Sequence, residues 1–171
     1  MMKIKFDSIV FTLKIIILSS LFSFVAGCEK STINVDGIYF NSFEKETDLN
    51  GWIGYYELSP DAPVQGGHQS LYISGGCVAP HAYYELGPFD EDMELTLQCW
   101  GKNLDKGGSV HLMLTDYPGN IYLSIEDKNW KHYTTDSVLF CPAGNKLQLS
   151  LSSGGLISSS MLVDMIEIIQ K

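Results

Sequence analysis

The chain of 171 residues predicts an all-β protein, an antiparallel two-sheet β-sandwich or jelly roll. Three observations carry this expectation. From Gly37 onward apolar and polar residues alternate in short runs. Turn formers recur between those runs. Past residue 27, apolar spacing of three and four never persists for three helical turns.

The alternation predicts strands over Gly37–Phe43, Trp52–Leu58, Gln69–Ser74, Ala82–Leu86 and Met93–Trp100. It continues through Ser109–Thr115, Ile121–Ile125, Tyr133–Phe140, Lys146–Leu151 and Met161–Ile169. Each gap carries residues that turn a chain: Ser59-Pro60-Asp61, Gly66-Gly67, Gly75-Gly76, Gly87-Pro88, Lys106-Gly107-Gly108, Tyr117-Pro118-Gly119-Asn120 and Gly154-Gly155. Residues 37–171 thus read as one sandwich domain, with no internal repeat and no low-complexity segment.

Successive side chains of a strand point to opposite faces, so the alternation also assigns an inside. Met93, Leu95, Leu97 and Cys99 share one face, leaving Gln98 and Trp100 on the other. Val110, Leu112 and Leu114 point inward, with His111 and Met113 outward; Ile121, Leu123 and Ile125 inward, with Tyr122 outward. Leu147, Leu149 and Leu151 leave Gln148 outside. If these four strands share a sheet, its outer face carries Trp100, Gln98, His111, Tyr122 and Gln148. An indole among amides and an imidazole suits a sugar, whose ring face stacks while its hydroxyls hydrogen-bond. A solvated face whose Trp packs on a loop is the plainer alternative.

The N-terminus reads as an export signal. Lys3 and Lys5 precede an apolar run from Ile15 to Val25, interrupted upstream by Lys14. The run is shorter than the about 20 residues that span a bilayer. It closes on Val25-Ala26-Gly27-Cys28. This ending resembles the lipobox of bacterial lipoprotein signal peptides, which implies that residues 1–27 are removed and Cys28 is lipidated. Residues 28–36 then form a short polar tether, and the implied location is a bacterial outer membrane or cell surface, lipid-anchored.

The leader holds Lys3, Lys5 and Lys14 against Asp7, so its loss takes the net charge from −9 to −11. All eleven basic residues are lysines. Such a chain is poorly suited to nucleic acid or anionic lipid; neutral glycans, cations or envelope proteins are the expected partners. Beyond Cys28 the cysteines are Cys77, Cys99 and Cys141, an odd number without metal-site spacing, and Cys99 shares the parity of Leu95 and Leu97.

One ordered series stands out: Phe43-Glu44, Gly51-Trp52, Gly66-Gly67-His68-Gln69-Ser70-Leu71, Leu97-Gln98-Cys99-Trp100-Gly101-Lys102, Trp130 with Tyr133, and Val163-Asp164-Met165-Ile166. It resembles the galactose-binding-like jelly-roll carbohydrate-binding modules over nearly all of residues 37–171. The resemblance implies non-catalytic glycan binding, fold-packing roles for Trp52 and Trp130, and a structural Ca²⁺ where the opening Phe-Glu meets the closing strand. Met165 replaces the second acid of the closing motif, and Cys99 replaces an aromatic residue.

Independently, Asp164 shares the parity of Leu162, Ile166 and Ile168, and a carboxylate among core positions is costly unless paired or metal-bound. The expected ligands are Glu44, Asp164 and backbone carbonyls of the Gly67-His68 turn, because calcium takes six to eight oxygens. Asp164 could instead cap backbone amides or point to solvent. Catalysis has little support: no nucleophile elbow, zinc-protease motif or phosphate loop occurs, and His68, His81, His111 and His132 are scattered. The expected function is a lipid-anchored, non-catalytic carbohydrate-binding module. The alternatives are a surface adhesin or assembly subunit that binds protein, and a small glycan hydrolase.

Overall fold

The alternation that begins at Met93 builds the longest strand and the frame of the molecule. A computed structural model describes residues 37–76, 82–154 and 159–171. Cys28, the leader and tether, Cys77 and His81 lie outside the described residues. In chain order the strands are β1 (Gly37–Asn41), β2 (Ile53–Gly54), β3 (Glu57–Ser59), β4 (Ser70–Ser74), β5 (Ala82–Leu86) and β6 (Met93–Asp105). There follow β7 (Gly108–Leu114), β8 (Asn120–Ile125), β9 (Lys131–Thr134), β10 (Leu139–Cys141), β11 (Leu147–Ser152) and β12 (Ser160–Gln170). One 3-10 turn, Glu46–Leu49, follows β1.

Two antiparallel sheets result. One places β10, β6, β12, β4 and β3 side by side, with β1 added to β12 and β9 to β6; the other runs β2-β5-β11-β7-β8. Their apolar faces meet. Leu95, Leu97 and Cys99 of β6 and Val163, Ile166 and Ile168 of β12 join one buried cluster with Leu112, Leu123, Ile125, Leu147, Leu149 and Leu151. Each such side chain contributes about 1.5–3 kcal/mol of transfer free energy. The sheets approach closely where glycine allows it: a Cβ on Gly101 would lie 2.7 Å from Ile125 Cδ1. The fold is the expected antiparallel jelly-roll sandwich.

Two expected strands are each divided. Trp52–Leu58 breaks at Gly54 (φ 125), and the chain leaves the five-stranded sheet at β2 to join the other at β3. Tyr133–Phe140 breaks at Thr135, which still exchanges hydrogen bonds with Leu97 through its amide and hydroxyl before β10 resumes on the same strand.

The parity expected for Asp164 is also corrected. Met161, Val163, Ile166 and Ile168 face the core, and a bulge at Met165 (φ 47) shifts the register between them. Leu162 and Asp164 therefore lie on the opposite face of β12. Asp164 is nevertheless fully buried, because the loop after β3 covers it. Cys99 and Cys141 are both buried free thiols.

Candidate functional site

The single platform expected from alternation does not form. β6 pairs with β12, β9 and β10, whereas β7, β8 and β11 belong to the other sheet. Trp100 and Gln98 thus occupy the outer face of the seven-stranded sheet, and His111, Tyr122 and Gln148 that of the five-stranded sheet. The faces are back to back. Alternation fixes which side of a strand is buried, but not which sheet the strand joins.

Antiparallel register sets out the five-stranded face in rows. Ile53 stands opposite Tyr83, Tyr83 opposite Ser150, Ser150 opposite His111, and His111 opposite Tyr122. The next row is Glu85, Gln148, Met113 and Asn120. The His111 and Tyr122 rings stack, with centroids 5.4 Å apart and planes 20° apart. His111 Nε2 lies 2.8 Å from Ser109 Oγ, and partial burial holds the imidazole below its usual pKa, which favours its neutral form. Ser150, only 2% exposed, lies in the row between Tyr83 and His111 and is covered by its neighbours. Those two aromatics flank it at two strand spacings, roughly 9.5 Å. Tyr83, Glu85 and Ser150 were not among the expected site residues; the same alternation within Ala82–Leu86 marks the first two as outward.

On the seven-stranded sheet, Trp100 faces His132 across the β6–β9 pair, with ring centroids 5.6 Å apart. One row along, Gln98 Nε2 donates to Glu167 Oε2. Beside this face the loop between β3 and β4 is fastened at Asp61. The Asp61 carboxylate accepts from Lys102 Nζ at 2.6 Å and Trp130 Nε1 at 2.8 Å, and its carbonyl accepts from Ser70 Oγ at 2.6 Å. The Lys102 ammonium holds the Asp61 carboxyl below the usual carboxylate range. Trp130 therefore ties loops together. Trp52 is buried against Phe43 and Tyr84 and donates to Tyr39 Oη.

The residues expected to hold calcium converge only in part. Glu44 and Asp164 meet the Gly66-Gly67 turn from two sides: a Cβ on Gly66 would overlap Asp164 Oδ2, and one on Gly67 would lie 2.5 Å from the Glu44 carboxylate. Asp164 Oδ1 accepts from the Met165 amide at 2.7 Å, while Oδ2 is buried without a hydrogen-bond partner. Burial, reinforced by the Glu44 charge, raises the Asp164 carboxyl to about 7.

Of these features only the orphaned Oδ2 of Asp164 favours a cation. The carbonyls do not complete the expected set, because the amides of His68 (3.0 Å) and Gln69 (3.1 Å) both donate to Glu44. Planar trans peptides then turn the carbonyls of Gly67 and His68 away from that carboxylate. His68 touches Glu44 through its amide, and among the described residues no group of three or more His, Cys, Asp or Glu is placed to hold a metal.

No protein-family model matches the sequence, and no curated protein sequence matches it. Solved structures do. The chain is similar to the CBM22-1 xylan-binding domain of Paenibacillus barcinonensis Xyn10C, with 18% identity and a TM-score of 0.59 over 79% of this chain and 94% of that one. It is also similar to the C-terminal family 22 carbohydrate binding module of Clostridium thermocellum Xyn10B, with 11% identity and a TM-score of 0.53 over 79% and 94%. At such identities the likeness is one of fold.

Proposed function

We propose that this chain is a lipid-anchored, non-catalytic carbohydrate-binding module of a bacterial cell envelope that binds neutral oligosaccharide or polysaccharide on its five-stranded sheet. The observation that carries the reading is the row Tyr83–Ser150–His111–Tyr122. Tyr83 and His111 stand on either side of buried Ser150, and Glu85, Gln148 and Asn120 supply hydroxyl partners in the next row. Among the strand residues of this face Glu85 is the one carboxylate, where a glycoside hydrolase needs two facing across the scissile bond. The fold likeness to xylan-binding modules supports the same direction by analogy.

The test is calorimetry of the folded protein against neutral oligosaccharides, wild type beside Tyr83→Ala. Binding at the five-stranded sheet is expected to weaken about tenfold in a folded Tyr83→Ala protein. Binding that survives unchanged moves the site elsewhere, and a wild type that binds none leaves the adhesin or assembly reading in first place.

Two further elements belong to this reading. Cys28 carries the lipid anchor at a bacterial outer membrane or cell surface, so Cys28→Ala abolishes labelling by a fatty-acid probe and releases the protein from membranes; unchanged labelling overturns it. Asp164 and Glu44 would contribute two carboxylates to a structural Ca²⁺, with the Glu44 oxygens also accepting from the His68 and Gln69 amides. The ring of His68 takes no part. The orphaned Oδ2 of Asp164 is the support for the ion. Removing it with a chelator lowers the melting temperature and adding it back restores it.

A further inference from the structure

We propose that the seven-stranded sheet carries a second glycan-contact site, built on Trp100 and Gln98, so that one domain bridges two neutral polysaccharide chains. The proposal rests on the carbohydrate-binding reading above but uses other residues on the opposite sheet.

The core does not require the Trp100 ring on the outside of β6. Its strand neighbours Cys99 and Gly101 are buried towards the other sheet, and Trp100 points away from them. Across the β9 pairing stands exposed His132, with its ring 5.6 Å away. Across the β12 pairing stands Asp164, roofed by Gly66, so the loop forms a wall one strand from the indole. Asp61 keeps that wall in place through Lys102 and Trp130. Gln98, Glu167 and Thr134 form the adjacent row, with the Gln98 amide already oriented by Glu167. The site therefore has a stacking surface, a wall, and a set of donors and acceptors two residues along the strand.

Charge selects the occupant. The Lys102 ammonium is taken by Asp61. Lys131 pairs with Gly101 in register and lies over the Tyr133 ring, on the other side of β9 from His132. Glu167 leaves the face acidic within a chain of net charge −9. An anionic polymer is repelled, and a neutral, hydroxyl-rich chain meets an indole face with amide, hydroxyl and carboxylate partners. Two sites on opposite faces of one rigid sandwich cannot close on one short oligosaccharide, so they join separate chains.

The experiment uses the full chain with xylohexaose, cellohexaose and mannohexaose in equilibrium dialysis, and with the corresponding soluble polysaccharides in turbidity assays. The wild type is expected to take up two hexasaccharides per chain and to make the polysaccharide turbid. Trp100→Ala and Tyr83→Ala are each expected to retain one site and to lose the turbidity. If Trp100→Ala melts below the assay temperature, Gln98→Leu replaces it and is expected to weaken uptake at one of the two sites at least fivefold. One hexasaccharide per wild-type chain, unaffected by Trp100→Ala or Gln98→Leu, overturns the second site and leaves the carbohydrate-binding reading standing. No uptake of any hexasaccharide by the wild type overturns both.

Discussion

Gly66 lies so close over the Asp164 carboxylate that a Cβ on Gly66 would overlap Oδ2. The same Cβ would lie 2.7 Å from Pro63 Cγ, so neither side of the turn can yield cheaply. Gly66→Ala is expected to lower stability by about 2–4 kcal/mol through overpacking and displacement of the loop. Denaturant unfolding measures it; a change under about 0.5 kcal/mol, within the range of ordinary surface substitutions, refutes the contact.

The carboxyl of Asp164 titrates near 7 in the folded chain, against 3.8 when unperturbed. Between those values the folded state keeps a proton that the unfolded state has released. With calcium chelated, the Asp164 contribution to stability is therefore greatest below about pH 4 and is lost as pH rises through about 7, on the order of a few kcal/mol. Asp164→Asn, which mimics the neutral acid, should remove this slope. Unfolding curves in chelator from pH 4.5 to 8, wild type beside Asp164→Asn, read the difference. Parallel curves refute the raised carboxyl.

Much of this was legible in the residues. Leu95, Leu97, Leu147, Leu149 and their neighbours fall inside as their alternation dictates, because a strand with one buried face cannot slip by a residue without exposing its whole apolar set. The approach of Glu44 and Asp164 to the glycine turn was what the resemblance to the galactose-binding-like modules implied. Sheet membership was not legible. The chain passes from β6 to β7 through Lys106 (φ 56) and Gly107 (φ 70) and changes sheets there, so a local hairpin signal concealed a crossing. Nor does alternation reveal a bulge such as the one at Met165, which put Asp164 and Ile166 on different faces. Asp61 found Lys102 and Trp130 across separations of 41 and 69 residues, which no local pattern announces.

That Asp61 junction makes its own prediction. Asp61→Asn keeps an acceptor for Trp130 but removes the charge facing Lys102. The pair is partly exposed, with side chains 24% and 44% accessible, so the expected cost is only about 1 kcal/mol and shrinks with added salt. Asp61→Ala also strips the partner from the indole N–H and should cost more. The Trp130 environment then changes, so the tryptophan emission of the folded protein should shift in Asp61→Ala and stay near wild type in Asp61→Asn. Identical emission and stability in both variants would show that the junction does not fasten the loop.

The register of the five-stranded face ranks its aromatic residues. Tyr83 and His111 stand directly across Ser150, whereas Tyr122 lies one strand further out and spends one ring face on His111. A sugar seated over Ser150 touches the first two and meets Tyr122 only through the imidazole it supports. Tyr83→Ala and His111→Ala should each weaken binding about tenfold, the loss of one stacking contact of roughly 1.4 kcal/mol. Tyr122→Ala should cost about two- to threefold, because His111 keeps its Ser109 partner when the tyrosine is gone. Burial holds the imidazole below its usual pKa and favours its neutral form, so protonation should weaken binding only on the acid side of the ordinary histidine range. Titration calorimetry of the three variants at pH 7.5, with melting checked for each, measures the ranking. A loss at Tyr122 that exceeds the loss at Tyr83 would place the sugar at the β8 edge of the sheet, outside the Tyr83–His111 slot.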